Sequence, residues 1–117
     1  RLDLTPSLTR CMMKRVSVVR IYIKEGDKSH GHNLMEEIFR MLHDRYKVHG
    51  VTAFRGVAGF GSKGITRADD VLRLNVHLPL VLEFFDDPET VDGVLPHLQE
   101  LVPADHILRW EAQCGEV

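Results

Sequence analysis

The sequence predicts one α+β domain in which four strands and two helices follow the order β-α-β-β-α-β. Three observations carry that expectation. Val16 to Lys24 (VSVVRIYIK) is rich in β-branched residues, and Val19, Ile21 and Ile23 alternate with Val18, Arg20 and Tyr22. Apolar residues at helical spacing recur in two later segments, each followed by a further strand pattern. The chain of 117 residues is long enough for one hydrophobic core and too short for two.

Val16 to Lys24 is therefore the first strand, with one fully apolar face and one amphipathic face. Glu25 to Gly31 is a polar turn. The spacing of Leu34, Ile38 and Leu42, with Met35, Phe39 and Tyr46 beside them, predicts a helix from about Asn33 to His49. Asn33 suits the N-cap, Glu36 completes a capping-box pattern, and Gly50 suits the left-handed position that ends a helix. Val51 to Val57 and Leu78 to Phe85 read as the second and third strands, Pro79 being tolerable near a strand start. The intervening Ala58 to His77 is long for a connection in a small domain, and loops of that length usually serve function. Ile65, Ala68 and Leu72 suggest a short helical turn within it.

Asp86-Asp87-Pro88-Glu89 carries helix-start signals: a capping Asp, Pro in the first turn, and acid at the positive end of the dipole. Val91, Val94, Leu95, Leu98, Leu101 and Val102 supply the buried face, and Pro96 predicts a kink. His106 to Cys114 (HILRWEAQC) alternates as a fourth strand. The order gives a ferredoxin-like antiparallel sheet with both helices on one face. Val18, Tyr22, Phe54 and Ile107 are expected on the other face, which favours oligomerisation through the sheets. Arg1 to Met12 lacks periodicity and is read as an extension preceding a domain that spans 13–117. Its basic residues are not followed by the apolar stretch of a signal peptide.

Composition narrows function mainly by exclusion. A net charge of −2 offers no basic field for nucleic acid or an anionic membrane. No apolar run approaches the ~20 residues of a membrane span. Two isolated cysteines, Cys11 and Cys114, make neither a disulfide framework nor a zinc site, and point to a reduced, cytoplasmic location.

Function concentrates in Arg55-Gly56-Val57-Ala58-Gly59-Phe60-Gly61-Ser62-Lys63-Gly64, where glycines follow a strand. Glycines there let the backbone approach a ligand closely, and Arg55, Lys63 and Arg67 add cations beside exposed amides, a combination that binds anions. Phe60, between two glycines, is placed to stack on a base or to pack in a neighbouring subunit. Gly59 to Gly64 matches G-x-G-x-x-G by letter, but no regular helix pattern follows, as a dinucleotide fingerprint requires. Gly56 and Gly61 have Walker spacing, yet Ser62-Lys63 transposes the order that places lysine on phosphate and hydroxyl on Mg²⁺. Glu25-Gly26-Asp27-Lys28 does not resemble the arginine-bearing loop of an acylphosphatase, and no hydrolase or metalloprotease motif is present, so the protein is expected to be no enzyme. His30-Gly31-His32 is the one tight histidine pair, a weak metal signal better read as loop histidines.

Four segments in consistent order resemble domain-of-unknown-function family 190, a PII-like group of small bacterial and archaeal proteins. They are Gly31 to Ile38 (GHNLMEEI), Gly50 to Gly56 (GVTAFRG), Gly59-Phe60-Gly61, and Leu78 to Glu83 (LPLVLE). The resemblance covers about residues 13 to 113, with R-G-x-x-G-F-G its most specific piece. It implies a ferredoxin-like protomer, a PII-like homotrimer and adenine-nucleotide binding between subunits. The nucleotide would be held by Arg55, Gly56, Gly59, Phe60, Gly61, Lys63 and Arg67, with Arg109 from a neighbouring subunit.

Compared with PII signalling proteins, Ala58 to His77 contains no tyrosine to modify. The position of the PII phosphate loop reads Asp86-Asp87-Pro88-Glu89, which is acidic. The implied ligand is thus AMP or ADP rather than ATP, no cofactor is required, and a membrane transporter or channel is the implied regulated partner. The alternatives are a trimeric metal-tolerance protein using His30 and His32, or a structural oligomer with no ligand.

Overall fold

The computed structural model describes residues 12–61, 64–67 and 77–116. Arg1 to Cys11, Lys63, Asp69-Asp70, and Ala68 and Leu72 of the expected helical turn lie outside the described residues.

Strand β1 (Met13–Lys24) is the longest described strand and sits inside a four-stranded sheet with β4 (Thr52–Arg55), β7 (Pro79–Asp86) and β8 (Ile107–Gly115). The order is β4-β7-β1-β8 and every pairing is antiparallel. This is the mixed α/β sandwich with an antiparallel sheet that the element order demands. The short β2 (Lys28–Ser29) and β3 (His32–Asn33) pair across His30 and Gly31, both at positive φ (53° and 83°), as a two-residue primed turn requires. Helix α1 (Leu34–Arg40) follows and is capped by Asn33, whose Oδ1 accepts the Glu36 N–H at 3.0 Å.

The first helical segment ends earlier than expected. After Arg40 it widens into a π-helical turn, Met41–Arg45, with Tyr46 N–H donating to Met41 O at 3.3 Å. The wider turn carries consecutive Met41 and Leu42 into the core. The left-handed residue is Lys47 (φ 53°), not Gly50, because buried Val48 folds back to donate its N–H to Leu42 O at 3.0 Å. Core burial at Val48 ends the segment before the glycine is reached.

Helix α2 (Pro88–Leu101) runs continuously through Pro96. Asp87 holds its N-cap position, but its side chain makes no capping hydrogen bond and lies 3.5 Å from Lys14 Nζ. The buried Asp86 carboxylate instead accepts the Asp87 N–H at 2.8 Å and the His49 N–H at 3.4 Å. The loop after β4 also differs from expectation. It forms a hairpin of β5 (Ala58–Gly61) and β6 (Gly64–Arg67), with Phe60 opposite Ile65, so Ile65 lies on a strand rather than a helical turn.

The two sheet faces are unequal. Val19, Ile21, Ile23, Leu80, Leu82 and Phe84 meet Leu34, Ile38 and Leu42 from the first helical segment and Val91, Val94 and Leu98 from α2 in one cluster. Burying each such side chain contributes ~1.5–3 kcal/mol, so this face holds the fold together. The other face exposes Tyr22, Phe54, Phe85, Leu108 and Trp110. Near its centre the Arg20 guanidinium lies 2.6 Å from Glu83 Oε1 and 5.7 Å from the Trp110 ring centre. Val18, Tyr22 and Phe54 belong to this face, as their pairings with Phe85 and Val81 show. Ile107 does not: it pairs with Ile21 and packs against the helix-side core, while Leu108 and Trp110 take the open face. Strand alternation alone cannot say which half of β8 points inward; its register with β1 does.

Candidate functional site

The glycine stretch leaves the sheet at a neck built by three strands. Glu25 follows β1, Arg55 closes β4, and His77-Leu78 lead into β7. Glu25 N–H donates to Leu78 O at 2.9 Å, and Leu78 N–H donates back to Glu25 Oε1 at 3.1 Å. The other carboxylate oxygen, Oε2, lies 2.7 Å from Arg55 Nε. Gly56 N–H reaches Pro79 O at 2.8 Å. One carboxylate therefore grips the outgoing and returning stems of the 58–77 excursion together.

Space for a side chain is tight here. A Cβ at Gly56 would stand 3.2 Å from Pro79 Cγ, and one at Gly59 only 3.0 Å from the same atom. Gly26, at φ +82°, faces the His77 ring, where a Cβ would fall 2.8 Å from Cε1. The three glycines let the stems close around Pro79 and His77.

Electrostatics reinforce the clasp. Burial pushes the Glu25 carboxyl up, but the Arg55 hydrogen bond, the Leu78 N–H and the nearby charges of Arg55 and His77 outweigh it. They hold the group below its ordinary value of 4.5. Arg55 remains more than half exposed, 54% by side chain. A cavity of about 210 Å³ adjoins the clasp, lined by Lys24, Glu25, Gly26, Asp27, Met35 and Leu80 among others.

The structure brings together part of the expected site. Arg55, Gly56 and Gly59 share the neck, and Phe60 and Gly61 continue from it along β5. Arg67 lies opposite Ala58 in the hairpin register, so its backbone returns to the neck end. Arg109 stands apart. It belongs to β8, the opposite edge of the sheet from β4, so no protomer can bring it to Arg55. Its guanidinium donates to Asp92 Oδ1 at 2.6 Å and Ser17 Oγ at 2.8 Å, and its Nε lies 3.5 Å from Glu111.

Three neck residues escaped sequence reasoning: Glu25, His77 and Pro79. Each acts through a partner distant in the chain, and no local pattern marks such a pairing. His30 and His32 occupy the β2–β3 hairpin, with His30 Nδ1 3.2 Å from Ser29 Oγ. Among the described residues no group of three or more His, Cys, Asp and Glu side chains converges. No helix among them is long and apolar enough to cross a membrane.

This fold and neck can be set beside known proteins. The model of the DUF190 family, described as "Uncharacterized ACR, COG1993", matches residues 16–114. The chain belongs to this family. A UPF0166 protein from Methanocaldococcus jannaschii is 34% identical over 90 residues, covering 77% of this chain and 82% of its own. A UPF0166 protein from Aquifex aeolicus is 27% identical over 85 residues, covering 70% and 77%. Among solved structures, CPII from Thiomonas intermedia K12, a nitrogen regulatory PII-like protein bound to ADP, AMP and bicarbonate, is similar with a TM-score of 0.62. Its identity is 21%, over 91% of this chain and 99% of CPII. CPII bound to ADP and bicarbonate matches with a TM-score of 0.58 at 20% identity, over 91% and 94%. At these identities the likeness establishes a PII-like fold for this member of the family, with Arg55 and its glycines at the base of the excursion between the second and third core strands.

Proposed function

We propose that this chain is a PII-like regulatory protein, not an enzyme, that binds an adenine nucleotide, AMP or ADP, in clefts between the subunits of a homotrimer. One observation carries the reading: an exposed arginine, Arg55, stands beside glycine backbone at the neck of the β4–β7 excursion. Such a constellation suits a phosphate. The likeness to CPII, whose structures hold ADP and AMP, supports the choice of ligand class. Trimerisation is supported by the open sheet face, where Tyr22, Phe54, Phe85, Leu108 and Trp110 present apolar surface around the Arg20–Glu83 pair. No cofactor is needed for such a role. Ligand binding at the neck would reshape the excursion, and that surface would then meet its target, a membrane transporter or channel at the cytoplasmic side.

Calorimetric titration of the folded oligomer with AMP, ADP and ATP tests the reading. AMP or ADP binds, and ATP binds more weakly. Absence of heat from all three at millimolar ligand, from a trimer by sedimentation, overturns it.

A further inference from the structure

The neck already holds an anion. Glu25 Oε2 lies 2.7 Å from Arg55 Nε, on the arginine that an incoming phosphate would take. The same carboxylate accepts Leu78 N–H through Oε1, so the group that occupies Arg55 also fastens the returning stem. Glu25 is fixed further by its own N–H to Leu78 O and by Gly26, whose φ of +82° turns the chain under His77. We infer that Glu25 is the specificity-determining residue of this site, a built-in competitor that shuts out singly charged carboxylates and admits only a ligand able to displace it, a nucleoside phosphate. The inference rests on the nucleotide reading above and adds to it a residue and a selection rule.

The physical reason is intramolecularity. A tethered group competes at an effective concentration of about millimolar or more, without the loss of translational freedom that a free ligand bears. A free carboxylate offers Arg55 Nε the same single-charged oxygen that Glu25 Oε2 already supplies, so exchange there brings no gain. A phosphate chain brings more charge and more acceptor oxygens than one carboxylate, and can engage the guanidinium through several of its N–H groups at once. Displacing Glu25 from Arg55 also loosens its hold on the pair of stems. Arg55 and Glu25 are partly exposed, so the competition is modest in size.

The test titrates ADP into wild type, Glu25→Gln and Arg55→Gln, with acetate as the carboxylate probe. Glu25→Gln keeps an acceptor for Leu78 N–H and removes the charge. It should bind ADP about threefold to fivefold more tightly than wild type, the size of an exposed ion pair. Arg55→Gln should weaken ADP binding. Acetate at millimolar concentration should shift the Gly56 amide resonance in Glu25→Gln and leave wild type unshifted. Equal or weaker ADP binding by Glu25→Gln, or equal acetate shifts in both proteins, overturns the inference and leaves the nucleotide reading standing. Failure of wild type and Glu25→Gln alike to bind ADP overturns both. Should Glu25→Gln not fold, Glu25→Asp replaces it: one methylene shorter, it loosens the grip on Arg55 and should also tighten ADP, and unchanged binding again overturns the inference.

Discussion

Arg55 and Arg109 occupy equivalent places on opposite edges of one sheet, yet their surroundings give them different work. Arg55 pairs with Leu80 of β7, and Arg109 pairs with Val19 of β1, so each lies on the helix-side face. Arg109 is 27% exposed and meets Asp92, Glu111 and the fully buried Ser17, with Pro88 O at 3.4 Å. Its donors are spent on joining β8 and β1 to the start of α2. Arg55 is twice as exposed and has one acidic partner among the described residues, Glu25. A guanidinium closed in by several acceptors is a structural bracket. One held by a single displaceable carboxylate at the neck is available to a ligand.

That contrast can be broken most forcefully at Arg109. Arg109→Ala leaves the buried Ser17 hydroxyl without its donor and the Asp92 carboxylate without its cation, while Glu111 keeps Arg15 at 3.7 Å. Thermal or denaturant unfolding should show a loss of about 1–3 kcal/mol. Arg55→Ala should cost less than about 1 kcal/mol in the same measurement, as exposed pairs do. An equal loss at both positions would erase the distinction.

Ligand binding sharpens the contrast from the other side. Arg55→Ala should weaken ADP binding by about tenfold, ~1.4 kcal/mol, with the melting temperature nearly unchanged. The smallest effect is the pH dependence of the clasp. Glu25 titrates below 4.5 in the folded protein, so its contribution to stability is complete above that ordinary value and is lost as pH falls through the folded value. The stability difference between wild type and Glu25→Gln should therefore stay constant from about pH 6 to 8 and shrink only in acid, below the ordinary value of 4.5. A difference that changes between about pH 6 and 8 would assign the clasp to another titrating group.

Much of the fold was legible because its signals are local. The alternation in Val16 to Lys24 reports a strand with one face wholly buried, and Val19, Ile21 and Ile23 lie at 0%, 0% and 6% exposure. The four-residue spacing from Leu34 to Leu42 reports a helical face, and Asn33 reports its cap. Where the reading slipped, a long-range contact had overruled a local preference. Gly50 was the natural terminator by residue type, but Val48 is drawn into the core and forces Lys47 into the left-handed turn. Ile107 is as apolar as Leu108, and the β1 register alone sends it to the helix side. Ile65 stands at helical spacing from Ala68 and Leu72 in the sequence but pairs with Phe60 across the hairpin.

The sequence by itself determined the element order, the helix-side core and the presence of a cationic glycine stretch. These follow from period, residue type and backbone freedom, which act over a few residues. Only the tertiary structure decided that Arg55 and Arg109 stand on opposite edges and that Glu25 closes the neck on Arg55. It also decided that the glycines are sized to Pro79 and His77. Those facts depend on strand order and register, which bring residues twenty and more positions apart into contact, and no local pattern encodes the partner at the far end.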